Sequence, residues 1–223
     1  MLHIVQFSGG LGSAAVARKV IEEHGKDSVL LVYCDTGWQD EDTFRFMDDF
    51  CDCFNTRYEY IKHNDLASEI LKQNCFPSVF IPWCNRVLKT EPHQRFLQTI
   101  RCPYKQYVGM DITEHNRAIK VKERGIETPL YDRRMPPREV RKSIEELGIR
   151  IPRTYKYFKH NNCIPCFKAT EKEWFKVWKY YRIRFEHMRE LEKEIGATVF
   201  KGKTLEELEK EFMDMDLQQR MAL

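Results

Sequence analysis

Two strings in this 223-residue chain carry residue types whose spacing can do chemistry. The first is Ser8-Gly9-Gly10-Leu11-Gly12-Ser13, which follows the apolar run Ile4 to Phe7. Three glycines allow a tight turn and let backbone N–H groups approach a ligand with no Cβ in the way. A helix from about 13 to 24 adds unpaired N–H donors and the positive end of its dipole, so the string suits a phosphate group. The bland alternative is a strand–helix turn that merely contains glycines. A Walker A loop is excluded, because no Gly-Lys-Ser/Thr follows at the required spacing.

The second string is Cys163-Ile164-Pro165-Cys166. Two thiolates at that spacing bind one metal or form a redox pair. A structural zinc would need further ligands. Cys84 is the distant candidate for a third, and Cys75 or His160 for a fourth. Cysteines drawn from two loops equally suit a [4Fe–4S] cluster, so spacing leaves Zn²⁺ and iron–sulfur both open. Nearby, Trp83 to Pro92 sets Cys84, Arg86 and Lys89 ahead of a helix, and Gly109 precedes Glu114 and Arg117, an i, i+3 pair on one helix face. A surface ion pair is the simple account of that pair.

The elements that must position these residues alternate between strand and helix patterns. Strands are expected at 2–7, 28–34, 57–62 and 105–110, with helices at 13–24, 40–50, 65–73 and 90–100. Thr113 is expected to cap a helix to Arg124, and a further helix covers 138–147. Short continuous apolar strands between helices imply a parallel sheet covered on both faces. Right-handed crossovers then bring Ser8–Ser13 and Asp35-Thr36-Gly37 to the carboxyl edge of adjacent strands. Residues 74–86 and 152–165 are expected to be irregular. From Thr170 to Ile195 aromatic and aliphatic residues recur at helical spacing, with a break near Arg182, and suit packing better than base stacking. A charged helix at 204–213 is expected to be solvated.

Composition sets outer bounds. Hydrophobic residues make up 42% and aromatics 13%, which suits a globular chain and excludes a disordered one. No apolar run approaches a membrane span and no secretory signal is evident, so a soluble cytoplasmic protein without membrane association is expected. Residues 101–160 hold 15 Lys and Arg against 8 Asp and Glu, a balance that suits an anionic partner or simply a solvated basic face. Eight cysteines in such a chain argue against a disulfide framework. Cys34 is expected in the core, and Cys51 and Cys53 receive no role.

Together these motifs resemble the PP-loop (adenine nucleotide alpha hydrolase-like) superfamily, and within it the phosphoadenylyl-sulfate (PAPS) reductase-like family. The resemblance runs in order from Ser8–Ser13 through Asp35–Gly37, Cys84, Leu88-Lys89, Pro92, Gly109, Glu114, Arg117 and Pro129-Leu130, past Val140 and Ile151-Pro152, to Cys163 and Cys166. It implies an α/β fold, a doubly wound parallel sheet of the HUP-like kind with a helical C-terminal extension. The domains would be 1–135 for nucleotide binding and 136–223 for the helical region with the cysteine turn.

The resemblance also implies ATP or a related adenine nucleotide bound by Ser8, Gly9, Gly10, Gly12, Ser13, Asp35, Thr36 and Gly37, with Mg²⁺. Lys89 and Arg117 would be the catalytic cations on phosphate or sulfate. Cys84, Cys163 and Cys166 would be the metal ligands. Three departures accompany it. Gly12 stands where ATP-cleaving members carry aspartate, and Trp83 stands where iron–sulfur reductases carry a second cysteine. No cysteine follows Cys166, whereas reductases that form a thiosulfonate carry one near the C-terminus.

The implied activity is ATP-dependent adenylation of a substrate for sulfur or amine transfer, with tRNA or DNA as an eligible substrate. The alternatives are a sulfonucleotide reductase, and a non-catalytic nucleotide- or nucleic-acid-binding module with structural zinc. Oligomeric state is not legible in the sequence.

Overall fold

Leu2–Gln6 forms strand β1 in the middle of a five-stranded sheet, and that position explains why Ile4 and Val5 are wholly buried. A strand paired on both edges and covered on both faces leaves no exposed place for a side chain. The computed structural model describes residues 1–62 and 64–221. After β1 come α1 (Leu11–His24), β2 (Val29–Asp35), α2 (Glu41–Phe54), β3 (Tyr58–Lys62), α3 (Leu66–Gln73), α4 (Trp83–Asn85) and α5 (Glu91–Leu97). Next are β4 (Tyr104–Tyr107), α6 (His115–Lys122), β5 (Ile126–Glu127), α7 (Pro129–Asp132) and α8 (Pro137–Glu145). The chain ends in α9 (Glu171–Tyr180), α10 (Arg182–Ile195) and α11 (Leu205–Met221).

All strand pairings are parallel, in the order β3-β2-β1-β4-β5. The chain builds outward from β1 to β2 and β3, then returns to β1's other edge with β4 and β5. The reversal between β1 and β4 is a topological switch point, where open α/β sheets leave a crevice at the carboxyl ends of their strands. This is the α/β, HUP-like architecture the sequence implies, with a helical C-terminal region.

Two compact units make up the chain. The first comprises residues 1–35, 40–62 and 92–161 and holds the whole sheet. Its core joins Phe7, Val16, Leu31, Tyr33, Phe46, Phe50 and Ile144, all at most 1% exposed. The second comprises 36–39, 63–91 and 162–223. Residues 136–161, grouped with the C-terminal region in the sequence reading, fall in the first unit. In the second, Trp174 and Phe185 are fully buried, and Phe212 packs edge-on against Phe175 with ring centroids 5.5 Å apart. The aromatic stripe is packing. A capping box of Thr170 and Glu173 starts α9, and Tyr181 separates it from α10 at the expected break.

Several expectations are corrected. Helix α1 begins at Leu11, so Gly12 and Ser13 occupy its first turn. Asp111, not Thr113, caps the turn before α6: its Oδ1 accepts from the Thr113 N–H at 2.8 Å. The C-terminal helix extends to Met221 and is not merely solvated, because Leu205, Leu208 and Phe212 are buried. Its Glu209 is buried too, held by Arg182 and Arg189. Cys34 is half-buried rather than core, whereas Cys51 is buried. Strand β5 and helix α7 were not foreseen, being too short for any periodicity to show. Among the described residues, no helix is long and apolar enough to cross a membrane.

Candidate functional site

The Ser8–Ser13 string lies where β1 hands over to α1, at the switch point. Gly9 has φ +73°, and a Cβ there would lie 2.4 Å from Thr43 Cγ2, so glycine is required on both counts. Ser13 Oγ donates to the Gly10 carbonyl at 2.8 Å and accepts from the Ser8 N–H at 3.1 Å. The loop is thereby cross-braced by its own ends. The N–H groups of the first turn, Gly12 and Ser13 included, have no carbonyl partner within the helix, as at any helix start. A fixed loop with such donors and a positive dipole end can receive an anion.

Two side chains from the segment after α8 hold this loop, and the sequence reading had not singled them out for it. Asn161, buried, donates from Nδ2 to the Gly9 carbonyl at 2.8 Å. Its Oδ1 accepts from Thr43 Oγ1 at 3.1 Å and from Thr154 Oγ1 at 3.0 Å. Tyr155 accepts the Leu11 N–H on its hydroxyl at 3.0 Å, and burial pushes its phenol pKa up, which keeps the hydroxyl neutral. These partners are 152 and 144 residues from the loop. No local pattern marks them.

Asp35 ends β2 at the same sheet edge and is 4% exposed. Tyr60 donates to its Oδ2 at 2.5 Å, and burial together with that carboxylate pushes Tyr60 up to about 12. Lys62 Nζ stands 3.9 Å away. Asp35 is thus a fixed carboxylate with compensating partners. Arg117, on α6, is exposed and pairs with Glu114, so the simple surface ion pair describes it.

In the second unit, Thr36 is buried and Gly37 is exposed with φ +74°. A Cβ on Gly37 would lie 2.6 Å from Asp65 Cβ, so the backbone needs glycine there. Cys84, Cys163 and Cys166 all fall in this unit, each half-buried. They are close enough to interact electrostatically. Burial, then the sulfurs of Cys163 and Cys166, push the Cys84 thiol up, against the pull of Lys168. Burial likewise raises Cys166, while Lys168 and Lys89 oppose it. Lys89 lies on a π-turn (Arg86–Thr90) and acts electrostatically on Cys166. Cys163 Sγ is hydrogen-bonded to Thr36 Oγ1 at 3.0 Å.

Among the described residues, no group of three or more His, Cys, Asp or Glu side chains is arranged to hold a metal ion. Cys75 and His160, the two candidates for a fourth ligand, are exposed. Cys84, Cys163 and Cys166 are the donors that a zinc ion or an iron–sulfur cluster would use.

A parallel sheet with a braced, glycine-rich strand–helix turn at its switch point makes this an α/β protein whose sheet edge can receive an anionic ligand. Residues 3–107 match the family model of the phosphoadenosine phosphosulfate reductase domain. The fold is similar to that of phosphoadenylyl-sulfate (PAPS) reductase from Candida auris, solved as a phosphate complex, at 16% identity and TM-score 0.54. That match covers 73% of this chain and 82% of the other. It is also similar to the U34-tRNA thiolase NcsA from Methanococcus maripaludis, solved with its [4Fe-4S] cluster. Here identity is 15% and TM-score 0.50, over 88% of this chain and 73% of the other. No curated protein matches the sequence. Residues 3–107 thus resemble a phosphoadenosine phosphosulfate reductase domain, and the chain shares its fold with these two solved structures.

Proposed function

We propose that this protein binds ATP and uses it to adenylate an oxygen of a substrate for sulfur or amine transfer. The observation that carries the reading is the Ser8–Ser13 turn at the β1–β4 switch point, held by Asn161 and Tyr155. In this reading the phosphates lie against the N–H groups of Gly9, Gly10, Gly12 and Ser13, with Asp35 beside the nucleotide. The substrate oxygen attacks the α-phosphorus, the bond from that phosphorus to the bridging oxygen breaks, and pyrophosphate leaves. Loop N–H donors stabilise the charge that develops on the phosphates. Mg²⁺ enters with the nucleotide on its phosphate oxygens.

Cys84, Cys163 and Cys166 would hold a [4Fe–4S] cluster with one iron open, which supplies a place to carry sulfur. The tRNA thiolase of the same fold, solved with such a cluster, supports that assignment. The basic balance of residues 101–160 suits a nucleic acid acceptor such as tRNA. The test is pyrophosphate release: it should require both ATP and acceptor, and its absence across nucleic acid and small-molecule acceptors would contradict the reading.

Sulfonucleotide reduction is the second reading, favoured by the family match over residues 3–107. It predicts sulfite from a phosphosulfate nucleotide and a thiol reductant, with no pyrophosphate.

A further inference from the structure

The second half of α1, strands β4 and β5, and α7 line a cleft of about 270 Å³ that lies wholly within the first unit. Six charged side chains face into it, Lys19, Lys105 and Arg133 against Glu23, Glu127 and Asp132. Their charges balance, yet they do not close on one another. Lys105 Nζ stands 3.9 Å from Glu127 Oε1, and Arg133 Nη2 stands 4.0 Å from Glu23 Oε2, both beyond hydrogen-bond reach. His24 Nε2 is likewise 3.9 Å from Glu23 Oε1. Of the six, only Asp132 is tightly paired among the described residues, by Lys122 at 2.6 Å, and Lys122 does not line the cleft. Lys19 is half-buried and makes no ion pair among the described residues. Burial first, then the charge of Arg133, holds its pKa below the ordinary 10.5. Two neighbouring cations, one of them unpaired, are thus held together against their mutual repulsion.

This arrangement selects a ligand that carries both signs. A lone anion would meet three carboxylates, and a lone cation would meet two lysines and an arginine. The volume also falls just short of about 300 Å³, where pockets for drug-sized ligands begin, so the ligand is a small one. We propose that the cleft binds a free α-amino acid as its zwitterion, with the carboxylate on Lys19 and Arg133 and the ammonium group on Glu127. The site is separate from the phosphate turn. At roughly 1.5 Å per residue, Lys19 and His24 lie about 9 and 16 Å along α1 from Ser13. The inference therefore does not rest on the nucleotide reading.

The experiment titrates the full chain by calorimetry with L-alanine, L-glutamine and L-methionine, and with acetate, methylammonium and inorganic phosphate as probes of a single sign. At least one amino acid should bind at one site per chain with a dissociation constant of about 1 mM or tighter. The single-sign probes should bind about tenfold more weakly or worse. Lys19→Gln and Glu127→Gln should each weaken amino acid binding by about tenfold or more, the scale of one hydrogen bond to a charged group. Lys210→Gln, exposed on α11 in the second unit, should not. Urea midpoints near wild type show that the variants fold, and Arg133→Gln replaces either one that does not. Three results each overturn the inference: no binding by any of the three amino acids, phosphate bound more tightly than they are, or binding unaltered in the cleft variants. So does competitive displacement of the amino acid by ATP, which places that ligand on the phosphate turn instead. ATP binding to wild type is read in a separate titration, so the two readings stand or fall independently.

Discussion

Gly12 and Gly109 meet backbone to backbone beyond the carboxyl ends of β1 and β4. A Cβ built on Gly109 would lie 2.3 Å from the carbonyl carbon and oxygen of Gly12, and 2.6 Å from the Ser13 nitrogen. The reverse contact is gentler: a Cβ on Gly12 would lie 3.3 Å from the Gly109 carbonyl oxygen. Gly12 thus sits directly against the backbone of the segment that follows β4.

The asymmetry makes a prediction. Gly109→Ala should force the two backbones apart and destabilise the fold by about 1–3 kcal/mol or more, the usual range for overpacking. Gly12→Ala should cost clearly less. Urea unfolding of both variants checks the order, and equal midpoints would contradict the contact.

Asn161 should matter beyond its size. Asn161→Leu leaves the Gly9 carbonyl and the Thr43 and Thr154 hydroxyls without their partner, at about 1–3 kcal/mol for a buried group left unpaired. Tyr155→Phe removes the hydroxyl that bonds to the backbone of Leu11 and of Asn161 and should cost about 1–2 kcal/mol. Both should weaken nucleotide binding by more than a variant of equal stability loss in the second unit. Calorimetric titration with ATP, set beside unfolding data, separates the two effects.

These braces show where the sequence stops being legible. The Ser8–Ser13 turn, the Asp35–Gly37 segment and the parallel sheet follow from local periodicity and glycine placement, and they stand where expected. Asn161 and Tyr155 do not, because their partners lie far along the chain and neither belongs to a periodic run. Arg184 was hidden for another reason. It sits in a helix whose aromatic spacing accounts for it as an ordinary polar position, and only the fold sets it over the Trp38 and Ile164 carbonyls. The C-terminal helix misled through its charge, since Glu209 is buried among arginines rather than solvated.

His3 gives a pH signature. Its ring is buried, stacks on His24 with centroids 3.7 Å apart, and bonds through Nδ1 to the Tyr107 hydroxyl at 2.7 Å. Burial first, then the charge of His24, holds its pKa below the ordinary 6.5. As pH falls through 6.5 the unfolded chain takes up the proton before the folded one, so stability present above 6.5 is lost as pH drops towards the folded value. Urea midpoints should fall from pH 7.5 towards pH 5.5 by about the scale of one shifted group, and less in His3→Leu. An identical slope in the variant would contradict the assignment.

The cysteines yield a compositional test. Anaerobic reconstitution of the full chain should give about four irons with matching sulfide, as one [4Fe–4S] cluster requires. Replacing Cys84, Cys163 or Cys166 by serine should lower that content sharply, and Cys75→Ser should not. Stoichiometric zinc without iron would contradict the cluster and favour a non-catalytic module.

Gly10 offers the most direct measurement of whether the Ser8–Ser13 turn receives phosphate. A Cβ there meets only the Tyr155 hydroxyl at 3.5 Å and Ser8 Oγ at 3.7 Å, and the backbone φ of −92° suits any residue. Gly10→Asp should therefore fold with an unfolding midpoint close to wild type while setting a carboxylate where phosphate would lie. Calorimetric titration should show ATP binding to wild type and a loss of about tenfold or more in Gly10→Asp, the effect of like charges at close range. ATP that fails to bind wild type, or binds the variant equally well, would contradict the account.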